Sequence, residues 1–169
     1  MTDLSLATRN FLAQDPALRD LLGRSMSWDT WIFDENPINV KVENTGRCLI
    51  VINEDGTWTS PNGHNTMTFP LLVIDIWADP TRNDDKSVKV NDAKTKIGSI
   101  QKVLDKHLHL TDAGTSRGMP FVWGTADQVA SKTGVVVAGS LRVSGPTLSP
   151  IRDTDGAYMG RLTYGVNIP

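Results

Sequence analysis

NDAKTKIGSIQKVLDKHLHL, residues 91–110, is the one long helical pattern in the middle of the chain. Ala93, Ile97, Ile100, Val103, Leu104 and Leu108 recur at steps of three and four, so they share one face of a 3.6-period helix. Lys94, Lys96, Gln101, Lys102, Asp105 and Lys106 fall mostly on the opposite face. Asn91 is placed to cap the first turn, Asp92 suits the positive helix end, and Lys106 and His107 suit the negative one. A helix of this length covers roughly 25 Å of sheet. The most hydrophobic strand pattern of the chain runs just before it, and only strand-like sequence follows. The expected arrangement is a sheet packed on this helix.

That preceding strand is MTFPLLVIDIWA, Met67–Ala78. Leu72, Ile74 and Ile76 point to one side, toward the helix. Leu71, Val73, Asp75 and Trp77 point to the other, with Asp75 the odd member. Pro70 is tolerable near a strand start or at a bulge. Upstream, RCLIVIN (47–53) is apolar on both faces, as expected of a strand covered on both sides. Asp55-Gly56 then signals a turn, and TWTSPNGHNT (57–66) is rich in turn formers with no aliphatic residue. Residues 54–66 are therefore expected to form a protruding loop or extended hairpin, tipped by Pro61, Asn62 and Gly63.

The C-terminal segment alternates cleanly. Tyr158, Gly160, Leu162, Tyr164, Val166 and Ile168 form one set, and Met159, Arg161, Thr163, Gly165 and Asn167 the other. This is the pattern of an antiparallel strand with one buried face, hairpin-paired with residues 140–152. Between helix and hairpin the sequence is poorly periodic. A short strand is expected within Met119–Trp123, a helical turn near Asp127–Ser131, and one or two strands in Thr133–Ser144, interrupted at Gly145-Pro146.

At the N-terminus two short helices are expected. Thr2 or Asp3 caps the first, whose stripe is Leu4, Ala7, Phe11 and Leu12. Asp15-Pro16 opens the second, Leu18, Leu21 and Leu22 form its inner face, and Gly23 closes it. Trp28 and Trp31 follow in SWDTWIF, as core anchors or as a partner-binding pair. Together these elements predict one α+β domain over residues 1–169. Its antiparallel or mixed sheet packs on the central helix, with helices at the N-terminus.

The 169 residues carry a formal charge of −2 with Lys and Arg interspersed, unlike a surface built to coat nucleic acid. The lone Cys48 lies in the apolar run CLIVI, the place of a buried inert thiol, and one cysteine makes no disulfide framework. No apolar run approaches about 18 residues, so no membrane span is expected. The first ten residues lack the charged and apolar regions of a signal peptide, which points to the cytoplasm or to a released particle.

Motifs of catalysis are scarce. His107-Leu-His109 has no third metal ligand at useful spacing, and His64 sits in the polar loop. Asp153-Thr-Asp155-Gly156 starts like a calcium loop but has Gly at the fourth place and Tyr164 at the twelfth. Ser131-Lys-Thr-Gly134 lacks the preceding glycines of a phosphate loop, and no serine sits in a nucleophile elbow. Asp75 and Asp92 flank the strand–helix unit without a positioned partner. Neither a metal nor a cofactor is expected, and no catalytic residue is singled out.

The opening DLSLATRNFLAQDPALRDLLG resembles the start of tail terminator (tail completion) proteins of long-tailed actinobacterial phages. The order that follows is similar too: PLLVIDIWADP, a polar link, one amphipathic helix, then a hairpin like IRDTDGAYMGRLTYGVNI. The resemblance spans most of the chain. It implies a non-enzymatic virion protein that forms a ring, commonly a hexamer, at the head-proximal end of the tail tube. Such a ring ends tube polymerisation, meets a head completion or stopper protein, and lets DNA pass without reading its sequence. Trp28, Trp31, Trp58, Asn62 and His64 are then the candidate contacts with a neighbouring subunit or partner. TWTSPNGHNT and residues 111–135 exceed a minimal member, so a stopper or adaptor remains an alternative. A small ligand-binding or enzymatic domain is the other.

Overall fold

A computed structural model of the chain describes residues 4–23, 31–35, 41–42, 44–59, 68–109, 122–123, 127, 131, 135–136 and 139–167. Its elements are α1 (Leu4–Leu12), α2 (Pro16–Leu21), β1 (Ile32–Phe33), β2 (Cys48–Thr59), β3 (Thr68–Ala78) and α3 (Asp92–Leu108). These are followed by β4 (Val122–Trp123), β5 (Val135–Val136), β6 (Gly139–Pro150) and β7 (Tyr158–Asn167). Five strands form one sheet in the order β1-β2-β3-β7-β6, while β4 and β5 pair separately. Only β1–β2 is parallel; the other ladders of the sheet are antiparallel. The fold is α+β with a mixed sheet.

Helix α3 lies on that sheet by the face its sequence pattern marked. Ala93, Ile97, Ile100, Leu104 and Leu108 are each 1% exposed or less, and Val103 packs at the margin. They meet Ile50 and Ile52 of β2, Leu72, Ile74 and Ile76 of β3, and Leu162, Tyr164 and Val166 of β7. Each buried Leu or Ile contributes about 1.5–3 kcal/mol. Gly160 sets how closely the layers approach. A Cβ there would stand 2.6 Å from Ile97 Cγ2 and 3.3 Å from Leu148 Cδ2.

The other face of the sheet carries a smaller cluster, Val42, Leu49 and Val51, with Trp31, Phe33, Trp77 and Ile151 against it. The double-sided apolar pattern of residues 47–53 thus has its cause: β2 is an inner strand with a cluster on each face.

The N-terminal helices fill the same layer as α3, with Leu4, Leu12, Leu18 and Leu22 in the main core. Asp15 caps α2 as expected, its carboxylate accepting from the amides of Ala17 (2.7 Å) and Leu18 (3.2 Å). Gly23, at φ +68°, ends the turn. Leu21 departs from the expected inner face: it is 40% exposed. In α1 the Leu4 amide donates to Glu54 Oε1 of β2 at 2.6 Å, so a strand side chain serves the first turn. The expected caps Thr2 and Asp3 lie outside the described residues.

Three further expectations change. Asn91 makes no side-chain cap bond, because its backbone is left-handed (φ +60°) where a capping residue needs an extended one. Asp92 takes up the polar role, accepting from the Thr81 amide at 2.6 Å. Lys96 is not on a wet face. Its ammonium donates to the carbonyls of Gly46 and Asp79 (2.8 Å each) and pairs with Asp92 (3.2 Å), pinning α3 to the end of the sheet. Asp105 likewise turns inward and accepts from the Tyr164 hydroxyl at 2.8 Å.

Strand β6 runs through Gly145-Pro146 instead of breaking there. It is an edge strand, where a missing N–H is tolerated, and two bulges absorb the irregularity.

Candidate functional site

The segment expected to protrude begins as regular structure. Asp55-Gly56 is not a hairpin turn. Gly56, at φ +69°, lies inside β2, where three steps from Glu54 to Thr57 face two steps of β3 from Leu72 to Pro70. That is a bulge with one extra residue, which bends and twists the strand beyond it. Pairing then resumes as Thr57↔Pro70, Trp58↔Phe69 and Thr59↔Thr68.

Beyond the bulge the ladder loses its neighbours. The β3–β7 ladder ends at Leu71↔Gly165, next to Pro70, which has no N–H to give. Parallel β1 reaches only Ile50 and Val51. Among the described strands, residues 57–59 and 68–70 pair with each other alone, an arm of about 10 Å at strand rise. Residues 60–67, with Asn62 and His64, lie outside the described residues.

At the opposite side of the sheet, β6 is the edge. Leu141 and Leu148 on it are 40% and 42% exposed. Its regular part, before the first bulge, is Gly139–Arg142. The Arg142 amide is turned away from the ladder and donates to His109 Nδ1 at 3.1 Å. This bond fixes the imidazole with its proton on Nε2. The Arg142 guanidinium stays close by, donating to the Gly145 carbonyl (3.1 Å) and lying 3.6 Å from Asp105.

Of the five residues expected to make contacts, Trp31 and the backbone of Trp58 lie within the described residues. Trp31 is half-buried on the smaller cluster, and its carbonyl accepts from the Ile50 amide at 2.9 Å. Trp58 lies eight residues further along β2, so the two backbones stand roughly 20 Å or more apart. The side chain of Trp58, and all of Trp28, fall outside the described residues. Sequence reasoning missed β6 as an edge. Its two exposed leucines stand seven residues apart and form no pattern, and strand order leaves no local signature.

Several titratable groups among the described residues are held in contacts of the fold. Burial pushes the Cys48 thiol up to about 12, far from a thiolate at neutral pH. Burial, then the charge of Asp105, raises the Tyr164 phenol well above its ordinary range. Asp75, 5% exposed, holds Arg161 in a two-pronged pair at 2.7 and 2.8 Å. His107 and His109 do not converge. His107 bonds Asp15 and stands edge-on to Phe11, while His109 takes the Arg142 amide. Among the described residues no group of three His, Cys, Asp or Glu side chains is placed to hold a metal ion.

Asp15 links cap and clasp, since its second oxygen meets His107. Burial opposes its charge, but the bonds from His107, Leu18 and Ala17 outweigh that and leave its pKa below the ordinary 3.8. The folded pKa is depressed, so this stabilisation is complete above the unfolded value. It is lost as pH falls below 3.8 toward the folded one. Asp15→Asn keeps a capping oxygen but removes the charge. Its deficit in urea midpoint is expected to be clear at pH 7 and to shrink at pH 3.

No protein-family model matches this chain, and no curated protein matches it significantly. What the geometry offers is contact surface: a two-stranded arm at one side and a strand edge with exposed leucines at the other.

Proposed function

We propose that the chain is a self-assembling virion protein of the tail terminator kind. It forms a ring, of hexamer order, on the head-proximal end of a tail tube, stops tube growth and presents the surface that meets a head completion or stopper protein. The observation that carries this is the arm. An isolated two-stranded ribbon is marginal in water, so residues 57–59 and 68–70 gain most from a neighbour's surface. The sequence resemblance supplies the kind of particle, and the two unmatched sides of the sheet suit subunits that repeat around a ring.

Shortening the arm tests the proposal. Replacing Ser60–Asn65 with a brief Gly-Ser turn is expected to leave circular dichroism unchanged and melting temperature nearly so, because the segment carries no aliphatic residue to bury. Infectivity complemented by this variant is expected to fail, with tails lacking a terminating ring or remaining unjoined. Normal plaques would make the arm dispensable, and a collapsed fold would place it in the core.

A further inference from the structure

Resting on the self-assembly reading, we infer that the regular part of β6, Gly139–Arg142, receives the β2 edge of the arm, Thr57–Thr59, from a second copy of this chain. The two stretches match in length. The arm's ladder has three pairs beyond the bulge, and β6 has four residues before its first one. They also match in what each lacks. On the β3 side of the arm, Pro70 withholds a donor, which leaves the β2 side as the pairing edge.

On β6 the guards of a natural edge are confined to one end. Pro146, Pro150 and both bulges lie beyond Arg142, whereas 139–142 has no Lys, Asp or Glu. Its one charge, Arg142, is turned toward Asp105 and Gly145. The Arg142 amide, facing outward, is held by the His109 side chain, a contact that an incoming backbone carbonyl can replace. Exposed Leu141 is the apolar surface the added strand would cover.

The arm and β6 cannot meet within one chain, because β3 and β7 stand between them. Donor and receiver lie on opposite sides of the sheet, so each copy gives on one side and receives on the other. A head-to-tail contact of this kind builds a ring when its rotation closes, whereas β6 against β6 would stop at a dimer.

Cysteine crosslinking reads this directly, since native Cys48 is buried and unreactive. Thr59→Cys and Leu141→Cys proteins are mixed at high concentration with a short thiol-reactive crosslinker, and light scattering on the same samples reports assembly. The mixture is expected to give a crosslinked pair, with at least about tenfold less from either variant alone. Leu141→Lys, which adds a guard charge, should raise the concentration for half-assembly at least about tenfold with an unchanged melting temperature. Assembled protein without the mixed crosslink, strong crosslinking of Leu141→Cys by itself, or normal assembly of Leu141→Lys would each overturn the pairing and leave the ring reading standing. A protein that stays monomeric at every concentration, with tails present as well as without them, would overturn both.

Discussion

Leu104→Ala is expected to destabilise the protein by about 2–5 kcal/mol, read as a lower urea midpoint at unchanged slope. Leu104 is wholly buried where α3 crosses the sheet, so truncation removes apolar contact and leaves a cavity between two rigid layers. Lys102, two residues earlier and exposed, gives the comparison. Lys102→Ala should change stability by less than about 0.5 kcal/mol. Equal losses from the two would mean that the helix presents a different face to the sheet.

The second large effect is on the helix-free face. Arg161→Ala leaves Asp75, a carboxylate 5% exposed, without the guanidinium that holds both its oxygens. An uncompensated buried charge of this kind costs about 3–5 kcal/mol. Arg161 is itself about half exposed (53%), so water reaches one side of the pair and the lower end of that range is expected. Replacing both residues by valine should recover much of the loss, because valine suits a strand and leaves no charge to pair. A single variant as stable as the parent in urea would show that Asp75 finds another partner.

These two residues also mark what was legible in the sequence. The stripe containing Leu104, the strand at Met67–Ala78 and the alternation from Tyr158 are local periodicities, and each became an element with its expected buried face. The hairpin of β6 and β7 followed from proximity in the chain. Asp75 stood out as a charge in an apolar run, but its partner lies 86 residues away and has no pattern to announce it.

The same holds for Glu54 on the Leu4 amide, Lys96 on the Gly46 carbonyl and Asp15 against His107. Each is a polar contact made by tertiary packing between residues far apart in the chain, and the one by Lys96 overturned its reading as a wet-face residue. The candidate site was half visible. Turn formers and missing aliphatics marked the arm's outer part, but the bulge at Gly56 looked like a turn and the paired base was hidden by it. The β6 edge was invisible, because nothing in residues 139–150 encodes that no described strand lies beyond them in the sheet.

Self-assembly on a tail is the central claim, and negative-stain imaging of the purified protein, alone and mixed with tails that lack it, tests it most directly. The account predicts rings with an open channel seated on the head-proximal tail end, in concentrated protein or once tails are added. A protein that forms no ring under either condition and leaves tail ends bare would contradict it.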